Sequence, residues 1–352
     1  MYKFPEISQF RNVIRNVKQR ASYNGKDDRG EPMYRDTTGK LPVLKFRGTT
    51  KIHGTNAGIV FNVLEQNFEF QSRERVLSLT QDNAGFMLYM SSKIETLTNL
   101  VNKIADKYIE TKIFLGVPTH IVIYGEWAGQ GIMKGVAVSE LPKMFVIFGA
   151  KFIFENGDEH WIDLTLIQDI EYPEDRIFNI LRFGFFEIDI DFNRPELAQN
   201  DLIKLTEAVE NECSVGKHFG VSGVGEGIVW NCITEGWRSS DYLFKVKGSK
   251  HSISKVKTLT SVDIDVVNSL NEFCDNVVSE NRLEWALNNL VSEKLLPFEM
   301  SSMGDFIRLV YQDVIKEHSD EIVENQIDPK KVGSLVANKA RSWYIQKYNE
   351  GI

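Results

Sequence analysis

Cysteine is scarce in this sequence. Three residues, Cys213, Cys232 and Cys274, stand among 352. Odd in number and widely spaced, they suggest neither a disulfide framework nor a zinc cluster, and read as reduced structural thiols. Histidine is sparse too, six in all, without the spacing of a zinc site. No run approaches the roughly 18 uninterrupted apolar residues of a membrane span. The amino terminus, MYKFPEISQF, lacks the basic stretch and apolar block of a secretory signal. A cytoplasmic protein without a membrane partner is expected, in the host cytoplasm if the source is viral. No GxxxxGK[ST] loop occurs, and the glycine-rich GVSGVGEGIV at 220–229 precedes a β-rich run instead of opening a helix. Neither a P-loop nor a dinucleotide cradle is therefore available.

What remains is an ordinary globular composition, 42% hydrophobic and 26% charged, long enough for two domains with a core around a cleft. The net charge of −8 argues mildly against a surface coated for nucleic acid, but its distribution is uneven. Residues 1–50 carry 11 Lys/Arg against 5 Asp/Glu, whereas residues 258–352 carry 9 against 16. The acidic region lies at the C-terminal end, which leaves room for a basic groove elsewhere.

Ile7, Phe10, Val13, Ile14 and Val17 recur at helical spacing and predict an amphipathic helix over 6–18. The polar, turn-rich stretch 23–40 reads as a loop. From 43 onward the pattern becomes short β-rich runs at 43–47, 57–63, 120–127, 144–154, 226–232 and 242–247, with a helical segment at about 82–108 between them. Such interleaving without a βαβ rhythm predicts an α+β domain of antiparallel sheets with flanking helices over 1–250. After about 255 only helical stripes remain, and a small all-helical domain is expected over 258–352, its boundary in the polar stretch 248–258.

One short stretch, TKIHGTNAGIV, places Lys51 between two β-rich runs, in a polar tight segment ending at Asn56. Alone, Lys51 reads as a solvated lysine. Its weight comes from further elements downstream in a fixed order: SRER at 72–75, YGEWAG at 124–129, FVIF at 145–148, EGIV at 226–229 and FKVK at 244–247. This ordered set resembles motifs I, Ia, III, IIIa, IV and V of the covalent nucleotidyltransferases, the superfamily of ATP ligases and capping enzymes. The KIHGTN form is similar to the RNA ligase 2 family, which includes phage enzymes and the kinetoplastid editing ligases. Relatives among DNA ligases usually carry Asp where His53 stands. The likeness spans roughly 43–250 and is weaker in the tail, whose helical character also favours this family over ligases with a β-barrel second domain. Thr50, Gly149 and the IVWNC run depart from the family pattern.

The resemblance implies an ATP-grasp-like nucleotidyltransferase fold and an ATP-dependent RNA ligase. In it Lys51 takes AMP from ATP as a lysyl-adenylate, and Mg²⁺ or Mn²⁺ is bound at Glu226. Lys245 and Lys247 are matched to the α-phosphate, Glu126 to the ribose hydroxyls and Phe148 to the adenine ring. His53 and Asn56 fall to nucleotide contacts. Arg73 is matched to the RNA 5′-phosphate, Thr55 to RNA contact, and Arg282, Asp313 and Glu317 to RNA joining by the tail. The expected substrate is RNA with 3′-OH and 5′-phosphate ends, in a duplex or at a nick, and a monomer is expected. Alternatives are sealing of DNA nicks, or an RNA-binding relative without turnover.

The chemistry supports these residue types independently. A lysine nucleophile must lose its proton, yet a free lysine with a pKa of about 10.4 is almost wholly protonated at neutral pH. Lowering that value by about 3 units takes roughly 4 kcal/mol of differential stabilisation. Lys245 and Lys247 alternate along one strand, so both face the same side, where neighbouring cations and a bound metal favour the neutral amine. The extension ahead of Lys51 has no assigned role.

Overall fold

The computed structural model describes residues 1–27, 29–34, 41–111, 116–248, 273–324 and 329–350. The chain divides into two compact units, Met1–Lys250 and His251–Ile352. Apart from Gly248, the polar boundary stretch 248–258 lies outside the described residues.

In the first unit, helix α1 (Phe10–Ser22) buries Val13 and Val17 as the apolar stripe requires. It begins later than the spacing predicts. The amide of Ser8 is spent on Leu243, and its carbonyl on Lys245, so the chain ahead of Gln9 stays extended. The polar stretch after α1 contains a hairpin, β1 (Tyr23–Lys26) with β2 (Pro32–Tyr34), instead of an unstructured loop. Its turn is held by Asp27 Oδ1, which accepts from the amides of Arg29 and Glu31; residues 35–40 lie outside the described ones.

Strands β3 (Val43–Thr50), β4 (Thr55–Asn62), β5 (Asn67–Ser72), β6 (His120–Ala128), β7 (Met144–Ile153), β8 (Glu159–Trp161), β9 (Ile177–Asn179), β10 (Phe185–Asp191), β11 (Gly227–Cys232) and β12 (Leu243–Lys247) form two sheets. One has the order β10-β3-β11-β12, the other β5-β4-β6-β7-β8 with β9 beside β7. All pairings are antiparallel except β7 with β9. The α+β class with antiparallel sheets and a helical C-terminal region is what the sequence patterning predicts. The helical stretch near 82–108 is two helices, α2 (Phe86–Ser91) and α3 (Ile94–Glu110).

Alternation along each strand decides which face meets the helices. On the six-stranded sheet, Phe70, Trp127 and Phe145 pack against Phe86 of α2, and Phe152 against Tyr108 of α3. On the four-stranded sheet, Leu44, Phe46, Ile228, Trp230 and Phe244 form a core with α1 and with α4 (Glu196–Asn211). On its opposite face the six-stranded sheet buries Val60, Val122 and Tyr124 beside Tyr2 and Phe4, and Val146 beside Ile52 and Val138. The link 51–54 carries the chain from β3 in one sheet to β4 in the other.

The second unit holds α6 (Glu280–Ser292), α7 (Met303–Glu324) and α8 (Pro329–Glu350), after the short helix α5 (Ser214–His218) of the first. Its core includes Leu283, Leu290, Phe306, Val310, Val314, Val336 and Tyr344.

Gly125 tests this packing. A Cβ there would lie 2.4 Å from the Phe145 ring and 2.7 Å from the Val146 carbonyl oxygen, and Phe145 is fully buried. Gly125→Ala is expected to destabilise the protein by about 1–3 kcal/mol, measured by denaturant unfolding.

Candidate active site

Lys51 leaves β3 with its backbone still in the ladder, its amide donating to the Gly227 carbonyl at 2.8 Å. That fixes the start of the side chain beside β11. Its Nζ donates to Glu226 Oε2 at 2.6 Å. His53 Nδ1 lies 3.2 Å from the same oxygen, and Lys247 Nζ 3.4 Å from Oε1. Glu226 is buried, and its backbone carbonyl accepts from Gly248. Burial pushes its carboxyl up, but Lys51, Lys247 and His53 outweigh that and hold it well below the usual carboxylate range.

Glu126 comes from the other sheet. In the β4–β6 ladder it stands directly opposite Asn56, and its Oε1 accepts from the Gly54 amide at 3.2 Å. A Cβ on Gly54 would come within 2.5 Å of the Trp127 carbonyl oxygen, so glycine lets the link lie close against β6. Half-buried Glu126 is pushed up to about 7 by desolvation; Lys51, the Gly54 amide and Arg73 counter this, while Glu226 adds to it. Two carboxyls thus flank Lys51 with opposite protonation tendencies.

The other candidates fall around this pair. Lys245, two residues before Lys247 on β12, shares its strand face. Arg73 is exposed in the turn after β5, near enough for its charge to bear on Glu126. Thr55 Oγ1 accepts from Asn83 Nδ2 at 3.0 Å. Phe148 is the extra residue of a bulge in β7, because Tyr124 pairs with Gly149 while Gly125 pairs with Ile147. A bulge re-aims a side chain, and Phe148 packs half-buried beside Val146 and Tyr124 on the cleft face.

The family model for RNA ligases matches residues 44–247, which encloses every one of these side chains. The chain belongs to the RNA ligase family. The search of curated proteins found no match. Among solved structures, this chain is similar to Naegleria gruberi RNA ligase. A lysine-to-alanine mutant of that protein with ATP and Mn aligns at 14% identity and a TM-score of 0.42, covering 70% of this chain and 56% of that one. Its pyrophosphate form gives 13% and 0.41 over the same shares. A lysine-to-methionine mutant with AMP and Mn also gives 13% and 0.41, again covering 70% and 56%. This chain therefore spans little more than half the length of those neighbours.

Sequence reasoning does not reach several supporting contacts of this ligase-family site. Thr50 Oγ1 meets Ser214 Oγ at 2.6 Å, a pairing 164 residues apart that leaves no local signal. Gly227 has φ +151°, and a Cβ there would lie 2.2 Å from the Val246 carbonyl oxygen; the EG dipeptide was legible, this close approach was not.

In the second unit, Arg282 is buried. Its Nε lies 2.7 Å from Asp313, one terminal nitrogen donates to Glu317 at 2.7 Å and the other to the Val277 carbonyl at 2.6 Å. The structure therefore brings together the three tail residues singled out in the sequence, as a bridge inside the bundle. Among the described residues, no helix is long and apolar enough to cross a membrane.

Two outcomes check this electrostatic picture. A carboxyl raised in the folded state keeps its proton where the unfolded chain has lost it, so stability falls as pH rises from the unfolded value of 4.5 through about 7. Glu126→Gln is therefore expected to gain melting temperature over the wild type between pH 5 and pH 8, followed by calorimetry. Arg282→Ala leaves Asp313 and Glu317 without their counter-ion and is expected to cost about 3 kcal/mol, read from unfolding monitored at the helical unit's Trp343.

Proposed function

We propose that this chain is an ATP-dependent RNA ligase that joins 3′-OH and 5′-phosphate RNA ends, at nicks in duplexes, through a covalent AMP on Lys51. The observation that carries the reading is the convergence on Lys51 Nζ of an ionised Glu226 within 2.6 Å, Lys247 on the same carboxylate and Glu126 across the cleft.

In this reading the neutral Lys51 amine attacks the α-phosphorus of ATP. An N–P bond forms, the bond to pyrophosphate breaks, and the amine's proton goes to solvent. Lys245 and Lys247 sit on one strand face toward that phosphate, where fixed positive charge offsets the charge that builds up in the transition state. Glu126 holds the ribose hydroxyls, and its raised carboxyl can both donate and accept a hydrogen bond. Phe148 supplies a face for the adenine, and His53 and Asn56 line the nucleotide. An RNA 5′-phosphate oxygen, held by Arg73 and Thr55, then attacks the AMP phosphorus and displaces Lys51, which recovers a proton. Finally the 3′-hydroxyl attacks the activated 5′-phosphate, its proton passing to solvent, a phosphodiester forms, and AMP leaves. In the tail, Arg282, Asp313 and Glu317 act on RNA joining by fixing the helices that present its surface.

The donor set fits a divalent cation. Glu226 is an ionised hard oxygen ligand, and among the described residues no cluster of three or more His, Cys, Asp or Glu competes for one. With so few protein ligands, Mg²⁺ or Mn²⁺ would take the rest from phosphates and water. Held by Glu226, such an ion would supply positive charge near the triphosphate, and Glu226 would then be shared between the ion and Lys51.

Incubation with α-labelled ATP and Mg²⁺ is expected to leave acid-stable label on the wild type and none on Lys51→Ala. Equal labelling of both, or of neither, sinks the proposal. Sealing rates on nicks with a 3′-ribose or a 3′-deoxyribose separate RNA from DNA joining.

A further inference from the structure

The first eight residues run across the site. Tyr2 is clamped to β5 by two hydrogen bonds, its amide to Gln71 Oε1 and Gln71 Nε2 to its carbonyl, and its hydroxyl lies 3.1 Å from His120 Nδ1 on β6. Lys3 pairs with Glu74 at 2.9 Å, next to Arg73. At the far end Ser8 joins the other sheet: its amide donates to Leu243 at 3.1 Å, and the Lys245 amide donates to its carbonyl at 3.0 Å. The segment thus ties β5 and β6 to the strand that bears Lys245 and Lys247.

Between these anchors sits Phe4. Its ring meets Phe148 at 4.9 Å and 74°, Tyr124 at 5.3 Å and 64°, and Trp161 at 5.6 Å and 88°. Such near-perpendicular contacts fix a neighbour's plane. Gly149, in the β7 bulge, makes room: a Cβ there would lie 3.1 Å from the Phe4 ring and 3.4 Å from Trp161. Phe148 needs such support, because a bulge residue has no ladder partner to hold it.

We infer that residues 1–8 are a strap that sets the nucleobase site, with Phe4 as a positioning residue that holds the Phe148 ring at the angle a purine stacks on. This rests on the ligase reading above. Phe4 itself need not touch the nucleotide. Its loss frees Phe148 to turn, which weakens capture of ATP while leaving the Lys51 chemistry in place.

The experiment measures the initial rate of covalent AMP labelling against ATP concentration for full-length wild type, Phe4→Ala, Phe4→Tyr and Gly149→Val, with melting temperatures alongside. Phe4→Ala and Gly149→Val are expected to raise the half-saturating ATP concentration about tenfold, equivalent to ~1.4 kcal/mol, with the maximal rate retained. Phe4→Tyr should stay near wild type. With the base surface loosened, the preference for ATP over UTP in labelling should shrink, a change that a merely structural role would not produce. The inference is overturned if folded Phe4→Ala keeps the wild-type half-saturation, or loses maximal rate alone. Should Phe4→Ala not fold, Gly149→Val decides by the same criteria. A wild type that takes no label overturns the ligase reading and the strap's role with it; a labelled wild type with an indifferent Phe4 overturns only the strap.

Discussion

One buried carboxylate organises the first unit. Glu226 is almost fully enclosed and still ionised, a state whose desolvation cost amounts to several kcal/mol unless cations repay it. Lys51 and Lys247 do so as cations, and His53, two residues after Lys51, adds a contact at 3.2 Å. Each is delivered by a different device: a ladder bond from the Gly227 carbonyl for Lys51, strand pairing of β11 with β12 for Lys247, and the link between sheets for His53. The need to satisfy this carboxylate draws together the two ends of a sequence span of nearly two hundred residues. The sheets on either side supply the rigid frame that makes the geometry reproducible.

The fold was legible where burial writes a strong pattern. Long apolar runs such as MFVIFGAKFI and HIVIYGEWA announce central strands because both faces are covered, one by helices and one by the clusters around Phe4 and Val138. Strands β8 and β9 span three residues each, too few for any period to emerge. In β10, FFEIDID, only Ile190 is buried, so its acidic residues mask the alternation. The start of α1 failed for another reason. Ile7 fits the stripe, but the backbone of Ser8 is committed to β12, and a tertiary pairing overrides helical spacing. The site was legible as an ordered set of short motifs, whereas the Gly54 amide under Glu126 and the bulge at Phe148 depend on register, which one sequence does not display.

The tail gives a sharper contrast. Asp313 and Glu317 share a face of α7 by their i, i+4 spacing, and that much follows from sequence. What the spacing could not reveal is the guanidinium between them, contributed by Arg282 on α6. A buried arginine paired with two carboxylates and hydrogen-bonded to a carbonyl constrains the distance and rotation of the helices that carry its partners. An effect of these residues on RNA joining would then pass through the shape of the bundle.

The two carboxyls beside Lys51 bear opposite consequences of the same field. Lys51 draws both toward ionisation, yet Glu226 has two further positively disposed neighbours, while Glu126 has a single backbone amide and a more distant Arg73. Environment thus divides two chemically identical groups into one held well below the usual carboxylate range and one raised to about 7. The pairing also sets the resting state of the proposed nucleophile. A lysine at 2.6 Å from a buried carboxylate is held in an ion pair, which favours the charged amine. Positive charge arriving at Glu226 would in that reading do more than attract phosphates: by competing for the carboxylate it would weaken the 2.6 Å ion pair to Lys51. Activation of the proposed nucleophile would in this way be tied to the counter-ions of Glu226.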